Sequence, residues 1–271
     1  YNDALKVDKI WYSFPVGDNF TAWIGPKIEN YYMHGASPSI YQPVLKGFKL
    51  GGNGAAYGAS TDSGIGFSYN ADNGFSISSN LVSDQNGVAN GGFLTDEVDE
   101  NWSTQIAYTQ PNYHVSLMLA QKYDGWVDEY YSTASGSART DSAGLATGST
   151  NYGLRAYWRP DESGTATPEI SVGYDFSTID GRPAASDETD AYFVGLTWKD
   201  LFQPDDKIGL AFGQPQTRED ETVDPFMWEA YYSFKPNDSV TITPAIFGGT
   251  DVNGTAGEDI TGAVIETTFK F

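Results

Sequence analysis

The chain offers little material for covalent chemistry. It has two histidines and no cysteine in 271 residues. His114 is followed two positions on by Ser116, so an imidazole and a hydroxyl share one face of an extended segment. A hydrolase also needs a polar group to orient the imidazole and donors to hold an oxyanion, and no third member stands out in the sequence. The expectation for His114 is a hydrogen-bonded or solvated side chain. The glycine-rich run GGNGAAYG at 51–58 lacks the Gly-Lys-Ser/Thr ending of a phosphate loop and opens no helix. Carboxylates are abundant, 36 Asp plus Glu against 15 Lys plus Arg, yet spacing singles out no pair suited to glycoside hydrolysis. The residues therefore read as a protein without a catalytic step and without a cofactor. The absence of cysteine excludes a disulfide scaffold and Cys-ligated metal, and the net charge of −21 excludes a basic nucleic-acid binder.

What the charges can do is handle ions. Acids gather in clusters: Asp96, Glu97, Asp99 and Glu100; Asp187, Glu188 and Asp190; Glu219, Asp220, Glu221 and Asp224. The run DVNG at 251–254 with Glu258 and Asp259 hints at loop-bound Ca2+ or Mg2+, although it lacks the spacing of an EF-hand loop. One long connection, 28–60, breaks the acidic trend with Lys46, Lys49 and His34.

The elements that position these groups are strands. No sustained 3.6-residue period is present, and no stretch has the 18 or so apolar residues of a spanning helix. Instead, apolar side chains recur at every second position. Trp228, Ala230, Tyr232 and Phe234 fall on one face and Glu229, Tyr231 and Ser233 on the other; Tyr152, Leu154, Ala156 and Trp158 oppose Gly153, Arg155 and Tyr157. About 13 such segments can be drawn, all reading as half-wet strands. The turns PVGDN, NADNG, TQPN and KPND are short and carry hairpin chemistry, whereas the connections near 28–60, 83–100, 123–149, 178–190, 215–224 and 249–258 are long. Tight turns alternating with long loops give an all-β fold, an antiparallel up-and-down β-barrel.

Aromatic residues are 15% of the chain and collect beside the short turns, at Phe14, Tyr69, Tyr108, Trp158, Trp198 and Phe234 among others. Such a girdle suits a membrane–water boundary, so the barrel is expected to be transmembrane, in contact with outer-membrane lipid and lipopolysaccharide. The final strand ends ETTFKF, placing Phe269 and Phe271 on the apolar face, and this ending resembles the assembly signal of bacterial outer-membrane barrels. Inside the barrel, the 28–60 connection is expected to fold into the lumen as a constriction carrying Lys46, Lys49 and His34. Lys122, Arg155, Arg159, Glu229, Glu266 and Lys270 are expected to line the wall, with Lys199, Lys235, Trp11, Trp23 and Tyr231 on the same face.

The segments KIWYSFPVGDNFTAWIG (9–25), AYFVGLTWKDLFQPDDKIGLAFGQPQ (191–216) and WEAYYSFKPNDSVTITPAI (228–246), with the closing ETTFKF, resemble the cyanobacterial major outer-membrane porins of the carbohydrate-selective porin family. The resemblance covers nearly the whole chain and is weakest in the long loops. It implies a barrel of about 16 strands, usually a homotrimer, passing small ions and small organic solutes such as sugars by diffusion. Family members carry a surface-layer-homology domain that contacts the cell wall, a linker and the first strands ahead of the region matching Tyr1. The resemblance thus implies about three strands outside this sequence, since single-chain barrels close on an even number. The alternative reading is a structural outer-membrane barrel with little permeability.

Overall fold

A computed structural model describes residues 7–84, 91–95, 98–123, 147–181, 184 and 187–270. The alternating pattern produces a single 13-stranded sheet in which every strand pairs antiparallel with its neighbours in sequence. The strands are β1 (Ile10–Pro15), β2 (Phe20–Glu29), β3 (Thr61–Asn70), β4 (Phe75–Ser83), β5 (Glu100–Thr109), β6 (Tyr113–Tyr123) and β7 (Gly148–Trp158), followed by β8 (Glu169–Asp180), β9 (Glu188–Lys199), β10 (Lys207–Arg218), β11 (Phe226–Asn237), β12 (Val240–Thr250) and β13 (Ile260–Phe269). The expected up-and-down topology holds throughout. Among the described residues the outer edges of β1 and β13 have no strand partner.

Short turns join β1 to β2, β3 to β4, β5 to β6, β7 to β8, β9 to β10 and β11 to β12, all at one end. Their chemistry is local. In the β3–β4 turn Gly74 adopts φ 91°, its N–H donates to the Ala71 carbonyl, and the Asn73 carboxamide accepts the Phe75 N–H at 3.0 Å. A Cβ at Gly74 would collide with the Thr109 carbonyl of the adjoining strand, so glycine is required there both for conformation and for space.

Register keeps the two faces separate. Leu117 pairs with Leu154 and Ile106, and Tyr152, Tyr174 and Tyr192 stand on the same exposed outer face. The inner face carries Ser103, Gln105, His114, Ser116, Asn151, Ser171 and Asp175, all buried. Exposed apolar outside and buried polar inside is the reverse of a water-soluble sandwich, and it fits a wall immersed in lipid. Phe20 opposite Tyr69, Phe75 opposite Tyr108 and Tyr113 opposite Trp158 place aromatic pairs on the outer face at the short-turn end. Phe14, Trp198 and Phe234 continue this band on the same face.

Leu117 lies mid-strand and is 42% exposed on the outer face. Leu117→Arg is expected to cost about 2–4 kcal/mol when folding is measured in lipid vesicles by denaturant titration. An unchanged midpoint would show that this face does not meet lipid.

Candidate functional site

Residues 30–60 leave β2, cross the inner face and return to β3 as a strap. Gly35 N–H donates to Ser78 Oγ on β4 (2.9 Å), and Ala36 N–H donates to Gln105 Oε1 on β5 (3.0 Å). Gln105 Nε2 returns a bond to the Ala36 carbonyl, and Ile40 N–H reaches Ser171 Oγ on β8 at 3.3 Å. At its far end the strap meets Glu229 on β11. The Val44 and Leu45 N–H groups donate to its two carboxylate oxygens at 3.1 and 2.6 Å, and the Tyr41 hydroxyl donates at 2.9 Å. Tyr41 packs with Phe48, Phe193, Ala211, Tyr231 and Ala245 in an apolar cluster. Burial, and then the Glu229 charge, hold the Tyr41 hydroxyl far above its ordinary pKa, so it stays a donor.

The return path rests on β7 and β8. Leu50 takes the left-handed conformation (φ 51°, ψ 27°), and its carbonyl accepts Arg155 Nε at 2.9 Å. Arg155 Nη2 pairs with Asp175 Oδ2 at 2.8 Å with both side chains almost wholly buried, and the Tyr57 ring lies 4.5 Å from the guanidinium. Close approach depends on missing side chains. A Cβ at Gly173 would strike the Gly51 carbonyl, and one at Gly54 would strike the Asp175 carboxylate. Asn30 clips the two legs together, donating to the Gly58 carbonyl at 2.8 Å and accepting the Ser60 N–H at 3.1 Å.

Beneath Tyr57 lies the His114–Ser116 pair. His114 Nε2 is 2.9 Å from Ser116 Oγ, and His114 Nδ1 is 2.7 Å from Thr109 Oγ1. Ser116 Oγ also lies 3.3 Å from the Tyr57 hydroxyl, and the imidazole stacks on Tyr157 at 4.8 Å. Both side chains are buried under the strap with their polar atoms mutually satisfied. This is a structural hydrogen-bond chain.

A polar inner wall, an apolar outer wall and a strap folded onto the inside together describe a channel lining. Residues 2–247 match the family described as carbohydrate-selective porin, OprB family. The chain belongs to this family. It is 26% identical over 310 residues to an uncharacterized protein of Nostoc sp., covering 100% of this chain and 51% of that protein, so it spans about half the length of that relative. Among solved structures, it is similar to OprB of Pseudomonas putida (14% identity, TM-score 0.61, covering 95% of this chain and 70% of that one). It is also similar to the anion-selective porin of Comamonas acidovorans (14%, 0.62, 96% and 87%) and to OmpF of Salmonella typhi (8%, 0.59, 95% and 88%). At these identities the likeness gives the fold, a porin-type β-barrel wall.

Within that wall, Lys46 and Lys49 sit on the exposed side of the strap, flanking buried Gly47 and Phe48. His34 departs from the expected cationic role. Both ring nitrogens are hidden without hydrogen-bond partners, the ring meets Tyr57 edge-on at 5.7 Å, and burial lowers its pKa to about 3, leaving it neutral. Glu229, Arg155 and Lys122 do face inward, but they are buried, and Glu229 and Arg155 form the strap's bed; they do not line open space. The reason for Glu229 and Arg155 is that the strap lies on the wall and takes these two charges as its anchors. Arg159 is half-buried 5.4 Å from the Tyr157 ring, while Glu266 and Lys270 are exposed on the inner side of the last strand and just beyond it. Phe269 is 59% exposed on the outer face; Phe271 lies outside the described residues, as do Asp96 and Glu97. Among the described residues no group of three or more His, Asp or Glu side chains converges as a metal site. Asp251 Oδ1 instead accepts the Gly257 N–H at 2.7 Å. The sequence reading did not identify Asp175 as a partner of Arg155; Gly51, Gly54 and Gly173 are the signal of close backbone approach that could have found it.

Asp175→Ala leaves Arg155 as an uncompensated buried charge and is expected to destabilise the folded protein by roughly 3–5 kcal/mol in denaturant titration. His34 supplies a pH dependence of known sign. The unfolded chain protonates it near 6.5 and the folded chain near 3, so between these values the unfolded state binds more protons and stability falls as pH falls. The slope of heat-unfolding midpoint against pH in that window is expected to be shallower in His34→Gln than in the parent.

Proposed function

We propose that the chain forms the wall and internal strap of an outer-membrane porin, a water-filled channel for passive diffusion of small ions and small hydrophilic organic solutes. The observation that carries this reading is the strap. A segment of about 30 residues crosses the inner face from β4 to β11 and back, narrowing the space inside the wall and presenting Lys46 and Lys49 to what is left of it. Solute passage then has no chemical step; width, wall charge and ordered water decide it. The exposed outer face and its aromatic band favour contact with lipid and lipopolysaccharide, in the outer membrane of a cyanobacterium. Sugars enter as solutes through the family's description as carbohydrate-selective.

The edges of β1 and β13, unpaired among the described residues, call for further strands, because a sheet in lipid must satisfy its edge groups by closing. About three more strands would bring the count to the even number of single-chain barrels. Assembly as a trimer is proposed by analogy with OmpT of Vibrio cholerae, one structure of which is described as a trimer form. A second reading, a structural barrel with little permeability, draws on the same strap, which covers much of the inner face.

Planar-bilayer recording of the detergent-purified protein separates the two. Discrete conductance steps are expected, and they are expected to grow when residues 36–56 are replaced by a short Gly-Ser linker. Lys46→Ala with Lys49→Ala is expected to alter ion selectivity. Correctly folded protein that yields no steps with or without the strap would favour the structural reading.

A further inference from the structure

Apart from Arg155 and Lys122, the inner-face cations of the wall gather at one end. Five of the chain's 15 Lys and Arg residues stand on the inner face at the short-turn end: Arg159 just past β7, Lys199 ending β9, Lys207 opening β10, Lys235 near the end of β11 and Lys270 just past β13. Register sets their heights. Ile170 pairs with both Trp158 and Leu196, which brings Arg159 level with Glu169. Lys207 lies directly opposite Lys199 on one side and Ser233 on the other, two residues from Lys235. Lys270 hydrogen-bonds through its backbone N–H to Ser239 in the β11–β12 turn.

Like charges directly across a strand pair are destabilising, so Lys199 opposite Lys207 is an arrangement that folding alone disfavours. Compensation around the rim is partial. Glu169 takes Lys199 at 2.7 Å, and Asp205, itself 69% exposed, takes Lys235 at 3.5 Å. Lys207 donates to the neutral Gln42 of the strap at 2.8 Å. Arg159 has a buried Nε without a hydrogen-bond partner, and among the described residues Arg159, Lys207 and Lys270 make no ion pair. Of the nearby turn acids, Asp161 (bound by Asn112 Nδ2 at 2.6 Å), Asp200 and Asp206 are engaged elsewhere, while Glu162 and Asp238 stand exposed on the β7–β8 and β11–β12 turns. Asp206 accepts the Leu201, Phe202 and Gln203 N–H groups and the Tyr232 hydroxyl, and Asp200 accepts the Asp205 N–H.

We propose that this cationic rim is an anion site at the short-turn mouth, built for small oxyanions of the phosphate and carboxylate class. It rests on the porin reading for its role in transport, though not for its binding chemistry. Rings of Lys and Arg are how pores attract anions and phosphate. A mouth of this kind captures oxyanions from one side only, giving the channel a direction-dependent affinity within a strongly acidic protein.

The test is orthophosphate added in turn to each side of a bilayer holding the protein, with chloride current as the readout. Block from one side only is expected, and Lys207→Gln with Lys235→Gln and Lys270→Gln is expected to need roughly tenfold more phosphate for half block. Arg218→Gln, at the opposite mouth, is expected to leave the block unchanged. Symmetric block, or block insensitive to the triple substitution, overturns the proposal. An equilibrium readout works without conduction: phosphate should raise the heat-unfolding midpoint of the detergent-purified protein above that in chloride of equal ionic strength, and the triple variant should lose this rise. If the folded protein shows that rise but conducts nothing, the porin reading falls and the anion site stands; if the rise is absent, the anion site falls.

Discussion

Everything in this molecule follows from the pleat of the β-strand, which sends successive side chains to opposite faces. A strand such as β6 must therefore satisfy two environments at once. Val115 and Leu117 go to the outer face, while His114, Ser116 and Met118 go inward. Repeated in register across the sheet, this single constraint gives an apolar exterior and a polar interior without any apolar run of membrane-helix length. It explains how a chain with a mean hydropathy of −0.40 presents a lipid-compatible surface.

A polar interior creates a second demand, because its buried groups need partners. The strap supplies many of them. Gln105, Ser78, Ser171 and Ser116 find strap amides or the Tyr57 hydroxyl, and Glu229 accepts hydrogen bonds from three strap donors at once. The Arg155–Asp175 pair is the costliest part of this bed, since both charges leave water. Its cost is offset by the Leu50, Leu154 and Tyr174 carbonyls around the guanidinium. Wall and strap are thus one hydrogen-bonded unit.

Much of the wall was legible in the sequence because strand alternation and turn chemistry are local. PVGDN and KPND announce their hairpins by composition alone, and the strand number follows from counting them. The strap's bed was not legible in the same way. Glu229 looks like any other inward acid until residues nearly two hundred positions earlier in the chain lie down on it. His34 reads as a cation by residue type and becomes neutral only through burial against Tyr57. Side-chain fate on the inner face is a tertiary property, whereas side-chain fate on the outer face is a property of parity.

The span of the strap contacts also bears on how the molecule is made. Adjacent strands meet through short sequence separations and can zip up as hairpins in chain order. Tyr41 and Glu229, by contrast, are 188 residues apart, and Leu50 and Arg155 are 105 apart. Closing loops of that size is slow relative to hairpin formation. The strap precedes in the chain the strands that anchor it, and its seating is expected to follow their pairing, so that for a time the wall stands with its polar bed bare and its interior at its widest.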